Sequence, residues 1–154
     1  MRANFLPVPL EKRAEEMDFV TRIVRTRMQS LKYLLHGTWL RPSSLDVPQK
    51  EIDVGTLSTF APLKESMPTD PVALAGAWRA PDGDGVIALA NISQKNLNLR
   101  LPIPAKACRL KDDCAMYRTD ASERRRIGKV SRNESVVQTA LFARLVYVLE
   151  FCPR

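Results

Sequence analysis

The chain has 154 residues, 45% of them hydrophobic and 27% charged, with a formal net charge of +7. That length fits one domain with a proper core, or a small domain with an appendage, and the composition excludes a disordered or fibrous protein. The positive charge is spread along the chain, tightest at Arg124-Arg125-Arg126, so it reads first as a solvated basic surface and second as a site for anionic partners.

Residues 1–9 carry Pro7 and Pro9 and are expected to be irregular. They contain no continuous apolar core ahead of Glu11 and Lys12, so no secretory signal is read. No stretch approaches the roughly 20 apolar residues that cross a bilayer. The cytoplasm is the default expectation.

From Leu10 to about His36 the apolar residues step by three and four: Leu10, Ala14, Met17, Thr21, Val24, Met28, Leu31 and Leu35. Val20, Ile23 and Leu34 widen this face, and Lys12, Arg13, Arg22, Arg25 and Lys32 occupy the other side. The pattern predicts one long amphipathic helix, about 40 Å in length, begun near Pro9 and ended by Gly37. An apolar stripe of that length needs a surface, either the sheet that follows or a partner.

Residues 38–71 read as a proline-rich connection. Trp39, Leu40, Leu45 and Val47 offer one short strand, and Ile52, Val54, Leu57 and Phe60 another. Pro42, Pro48, Pro62, Pro68 and Pro71 confine such strands to edges and loops.

Residues 72–154 read as β throughout. Val72, Leu74, Gly76 and Trp78 share one face of the first strand, and Ala73, Ala75 and Ala77 the other. Pro81 to Gly85 is a turn. Val86 to Ile92 forms the second strand. Leu97 to Ile103 alternates strictly, with its leucines inward. Weaker strands follow at Cys108 to Leu110, Ala115 to Arg118 and Ile127 to Val130. Ser135 to Leu141 and Ala143 to Phe151 close the set. The fold class is therefore mainly β, an antiparallel β-sandwich preceded by one long amphipathic α-helix. The organisation is 1–37 helix, 38–71 connection, 72–154 sandwich. The Trp78 face is expected to form the sandwich interior. The small Ala73, Ala75 and Ala77 face is expected to seat a neighbour.

No catalytic signature is present. Asp82-Gly-Asp-Gly85 lacks the later ligands of a calcium loop and reads as a hairpin turn. His36 has no nucleophile motif beside it and suits a helix C-terminus. Glu15-Glu16, Glu51 with Asp53, and Asp112-Asp113 are the acidic pairs available for glycoside chemistry, and spacing alone sets none of them across a bond. Arg124-Arg125-Arg126 reads as a solvated turn, with a phosphate patch as the alternative. Asn91-Ile-Ser93 and Asn133-Glu-Ser135 match the glycosylation pattern and read as chance. Trp78 reads as core and Trp39 as a candidate carbohydrate contact. Cys108, Cys114 and Cys152 leave at least one thiol unpaired. A Cys108–Cys114 bridge is possible, and the odd count favours a reducing compartment. No cofactor or metal is expected.

The order of parts resembles a known architecture. A helix ends in Tyr33-Leu-Leu-His-Gly37-Thr-Trp-Leu-Arg-Pro42. Gly76-Ala-Trp-Arg-Ala-Pro-Asp-Gly83 and Val86-Ile-Ala-Leu-Ala-Asn-Ile-Ser93 follow, and Ala143 to Phe151 closes the chain. From about Phe5 to Phe151 this resembles the C-terminal end of glycoside hydrolases in which a (β/α)8 barrel is followed by an antiparallel β-sandwich. The helix resembles the last barrel helix. Catalytic carboxylates of such barrels stand at the C-terminal ends of barrel strands, which would precede Met1, so the resemblance carries no catalytic residue onto this chain.

The resemblance implies a fragment or remnant without hydrolase activity, bracing a barrel or other domain. The candidate partner interface comprises Leu10, Met17, Val24, Met28 and Leu31 on the helix with Ala73, Ala75 and Ala77 on the sheet. Its occupant would be a barrel domain or a second copy of the chain. The competing expectations are a stand-alone carbohydrate-binding module using Trp39 and, ranked last, a basic nucleic-acid-binding protein.

Overall fold

The computed structural model describes residues 10–41, 44–51, 69–110, 114–133 and 136–152, with backbone alone at residues 10–12. The strand expected around Ile52, Val54, Leu57 and Phe60 lies outside the described residues, as do Asp53 and Asp112-Asp113.

Helix α1 spans Leu10–Gln29 and the short α2 spans Leu31–Leu34. The single helix expected to run to His36 is thus broken at Ser30. There the backbone tightens: the Ser30 N–H donates to the Arg27 carbonyl three residues back at 3.0 Å. α1 is about 30 Å long at 1.5 Å per residue. Past α2 the Gly37 N–H closes onto the Tyr33 carbonyl at 2.9 Å. A Cβ at Gly37 would lie 2.3 Å from that carbonyl oxygen, so only glycine fits.

The strands are β1 (Thr38–Leu40), β2 (Gln49–Glu51), β3 (Thr69–Pro71), β4 (Ala73–Arg79), β5 (Gly85–Asn91), β6 (Leu97–Pro102), β7 (Cys114–Thr119), β8 (Arg124–Val130), β9 (Val136–Leu141) and β10 (Val146–Cys152). Six of them form one antiparallel sheet in the order β1-β4-β5-β10-β7-β8. β6 pairs with β9, and β2 with β3. Cys108 to Leu110, expected as strand, is turn, whereas Arg124 to Arg126, expected as turn, opens edge strand β8. Seven-residue β8 is exposed at five positions and half-buried at a sixth, and charged edges of this kind resist unwanted pairing.

The main core lies between the six-stranded sheet and the β6–β9 pair. Leu99, Leu101 and Leu141 meet Ile87, Leu89, Tyr147, Leu149 and Phe151 there. Ala73 and Ala77, each 1% exposed, are part of this core, and Ala75 packs against it. The expected assignment of the two β4 faces is therefore reversed. The registers Ala75 opposite Leu89 and Ala77 opposite Ile87 show why. Small residues on β4 make room for large ones beside them. On the other face Trp78 lies back over Gly76, where a Cβ would sit 2.4 Å from the indole ring. Tyr33, Ala80, Val86 and Val148 form a second, smaller cluster on that side, with Trp78 and Ala88 against it.

Asn91 is fully buried at the end of β5. Its amide donates to the carbonyls of Lys95 (2.8 Å), Leu141 (3.1 Å) and Phe142 (3.0 Å), and its oxygen accepts from the Ser93 N–H and hydroxyl. The side chain that a glycan would need is wholly engaged in joining two turns, so Asn91-Ile-Ser93 is a structural motif. No disulfide links Cys108, Cys114 and Cys152.

α1 meets the sheet with a polar stripe. The hydroxyls of Thr26 and Ser30, each 1% exposed, have no hydrogen-bond partner among the described residues. A buried hydroxyl without a partner costs about 1–3 kcal/mol. Thr26→Val is therefore expected to leave stability unchanged or raise it by about 1 kcal/mol, while Leu149→Ala in the main core loses about 2–5 kcal/mol. Urea unfolding of both variants tests this contrast. A Thr26→Val loss as large as that of Leu149→Ala would show that the helix face is sealed by bonds of its own.

Candidate interaction surface

At 100° per residue, α1 presents two opposite stripes. Phe19, Arg22, Thr26, Gln29 and Ser30 turn toward the sandwich. Phe19 lies beneath the Arg144 guanidinium, 5.8 Å from ring centre. The Gln29 amide donates to the Ala121 carbonyl at 3.3 Å. The other stripe points away and is apolar: Met17 is 64% exposed, Val24 52% and Met28 62%, with Val20 and, past the break, Leu35 also exposed. The sheet does not cover the stripe. Leu31 is half-buried on α2, and Leu10 lies in α1 with its side chain outside the described residues.

The small-residue half of the expected interface is absent. Ala73, Ala75 and Ala77 face the main core, as described above, and offer nothing to a neighbour. Other apolar residues on the helix side of the sheet are exposed. Leu74 on β4 is 49% exposed. Trp39 pairs directly with Trp78, so it shares that face, and it is 63% exposed.

What sets the orientation of the helices is a polar cluster that the sequence reading did not single out. Glu150 on β10 is 4% exposed. Its carboxylate accepts from the Tyr33 hydroxyl (3.1 Å), the Arg124 Nε (3.0 Å) and the Thr119 hydroxyl. The Arg124 guanidinium lies 3.7 Å from the centre of the Tyr117 ring. Burial, with the neighbouring Glu150 charge, drives the Tyr33 phenol far above its ordinary pKa, so it remains a donor. The available signal was one acidic residue inside the apolar run Val146–Cys152.

Nearby, Lys32 on α2 bridges Asp82, at 2.9 Å, and Asp84 in the β4–β5 turn. Burial works against the Lys32 charge, but the two carboxylates outweigh it and raise its pKa; Lys32 in turn lowers that of Asp82. The turn itself is a hairpin, with Ala80 N–H bonded to the Asp84 carbonyl at 2.8 Å and Gly83 at φ 94°. His36 is exposed just past α2.

This arrangement holds parts together. Glu15 and Glu16 are exposed on α1, and Glu51 is exposed on β2. Asp82 and Asp84 share one ammonium, and Glu150 is saturated by donors. Burial raises Cys108 to about 11. Burial and the Asp84 and Glu150 charges do the same for Cys152, so both stay thiols at neutral pH. Among the described residues no cluster of His, Cys, Asp or Glu is placed to hold a metal ion, and no helix is long and apolar enough to cross a membrane.

The fold defines a mainly β protein: a large antiparallel sheet, a second β layer, and one long helix near the N-terminus. No family model matches the sequence, and no curated protein matches it. Among solved structures, parts of glycoside hydrolases are similar. One is described as an α-N-acetylgalactosaminidase from Bacillus halodurans C-125 (TM-score 0.45, 15% identity, 55% of this chain and 19% of that one). Another is a GH27 β-L-arabinopyranosidase from Geobacillus stearothermophilus (TM-score 0.41, 15% identity, 55% and 18%). A third is a GH30 endoxylanase from Clostridium papyrosolvens C71 (TM-score 0.39, 13% identity, 54% and 21%). The chain spans about a fifth of the length of these structures.

Asp120 in the β7–β8 turn supplies a pH test. Its burial alone would raise its pKa, but bonds from the Ser122 hydroxyl and the Ser122 and Glu123 N–H groups, with Arg118 beside it, hold it down to about 2. A depressed carboxylate stabilises the fold fully above its ordinary pKa of 3.8 and stops doing so as pH falls through the folded value. Asp120→Asn is thus expected to be less stable than the parent at pH 6, with the gap closing between about pH 4 and 2. Thermal unfolding across that range checks it; a gap constant with pH would mean that the turn does not depend on the charge.

Proposed function

We propose that this chain is a non-catalytic accessory β-sandwich that braces a partner domain through α1, and that the partner is a glycosidase-type barrel. One observation carries the reading: α1 turns its polar stripe to its own sheet and its apolar stripe, Met17, Val20, Val24 and Met28, outward. A half-exposed stripe of this kind gains about 1 kcal/mol or more per side chain when a second surface covers it. The sequence order of helix, connection and sandwich, which resembles the end of such hydrolases, supports a barrel as the occupant. Trp39 and Leu74 on the same side of the sheet extend the contact. The chain itself contributes structure, and no hydrolysis of aryl glycosides by it is expected.

A second reading rests on Trp39 alone. An aromatic ring 63% exposed at a sheet edge is a platform on which a sugar ring stacks. In that case the chain migrates slowly through a polysaccharide gel and Trp39→Ala restores its mobility. The bracing reading expects no retardation in either protein.

The isolated chain is expected to bind an apolar dye and to exchange the α1 amides faster than those of β10. Val24→Asp combined with Met28→Asp should abolish most dye binding and leave the melting temperature of the sandwich within a few degrees. A parent chain that is a compact monomer at low micromolar concentration, with α1 protected as well as β10, would end the bracing reading.

A further inference from the structure

The two basic concentrations of the sequence lie apart in the chain, one on the helix and one at Arg124 to Arg126, and the fold joins them. The Gln29–Ala121 bond seats the end of α1 against the β7–β8 turn. Arg25 lines a cleft there with Asp120, Ala121 and Ser122. Register then fixes the side of the sheet. Arg124 stands opposite Thr119 and Arg126 opposite Tyr117, so both fall on the face that carries α1 and Glu150. Arg124 is engaged by Glu150, but Arg126 is exposed. On α1 itself Arg25 borders one flank of the apolar stripe, and Arg13 and Arg27 border the other, all exposed. None of Arg13, Arg25, Arg27 and Arg126 has a carboxylate partner among the described residues. Among the described residues the acids near the stripe are Glu16 and Asp18, and Asp18 is already paired with Arg22.

We infer that the partner docking on α1 presents an apolar seat rimmed by carboxylates, so that it is a different protein surface and not a second copy of this chain. The inference rests on the bracing reading and adds the chemistry of the occupant. Two copies, each at +7, would bring like-charged rims together around the stripe. A nucleic acid satisfies the arginines but leaves Met17, Val24 and Met28 uncovered, and Tyr117, the ring opposite Arg126, is already covered by the Arg124 guanidinium and not open to stack on a base. An acidic rim around an apolar floor satisfies both sets at once.

The test uses the full chain and two synthetic helical peptides of about three heptads. Both have leucine along one stripe; one carries glutamate and the other lysine at the flanking positions. The glutamate peptide is expected to bind, more weakly as salt is raised. Arg25→Glu with Arg27→Glu should weaken it at least tenfold, Met28→Asp should abolish binding, and the lysine peptide should not bind. Equal binding of both peptides overturns the charge rule while leaving apolar docking intact. Binding of neither, with α1 protected in a monomeric chain, removes the bracing reading as well. Two further results also overturn the inference: self-association at low salt that Met28→Asp abolishes, and retention on heparin or duplex DNA that Met28→Asp leaves unchanged while neither peptide binds. Far-UV spectra and melting of the variants, all exposed substitutions, confirm that they remain folded.

Discussion

The fold of the helical layer depends on a single buried charge. Glu150 sits on β10, between β5 and β7, and is 4% exposed. A carboxylate in that position costs several kcal/mol unless its oxygens are satisfied. Three side chains satisfy it, and each comes from a different element: Tyr33 from α2, Thr119 from β7 and Arg124 from β8. The cost of leaving the charge bare is what holds those elements in place. Tyr33 matters most for the surface. It anchors the turn just past Ser30, and the Phe19–Arg144 and Gln29–Ala121 contacts fix the side of α1 that faces the sandwich. Its apolar stripe is outward as a consequence.

The sheet beneath the helices is matched to this arrangement. Its inner face pairs Ala75 and Ala77 with Leu89 and Ile87 and meets the leucines of β6 and β9 in a dry core. Its outer face combines Gly76, Ala88 and Ala90 with Trp78 laid flat over Gly76. That outer face is shallow. Tyr33 of α2 packs there with Val86 and Val148, while α1 lies against β10 with Thr26 buried. Dry packing stabilises the sandwich, and polar bonds orient the helix upon it.

Much of this was legible in the sequence. Alternation in Leu97 to Ile103 and in Ala143 to Phe151 specified strands and their inward residues, because a period of two leaves no choice of face once one side is apolar. The Asp-Gly turn before Val86 and the strand-ending role of Asn91 followed from local chemistry. Which face of β4 is interior was not legible. Ala73, Ala75 and Ala77 are small only relative to partners that come from β5, and pairwise volume is not a property of one strand. The break at Ser30 was hidden as well, since an amphipathic pattern runs through it without interruption while the backbone tightens onto the Arg27 carbonyl there. Arg124 to Arg126 read as a turn because charge outweighs β-propensity locally, yet an edge strand favours charge. Glu150 showed only as one acid in an apolar run.

The uncovered stripe has two conceivable fates, and the polar cluster decides between them. α1 could roll through half a turn and bury Met17, Val24 and Met28 on its own sheet. That motion carries the neutral Tyr33 hydroxyl away from the buried Glu150 carboxylate, and losing a hydrogen bond to a charged group costs about 1.5–3 kcal/mol. It would also press methionine and valine side chains into the space between α1 and β10, where Thr26 is already buried. A second surface approaching from outside covers the same stripe and leaves the Tyr33, Thr119 and Arg124 bonds to Glu150 untouched. It meets the exposed Trp39 and Leu74 on the way. The buried charge therefore keeps the apolar stripe exposed, and α1 is a two-sided element whose polar side is held by this chain and whose apolar side is open, as the bracing proposal requires.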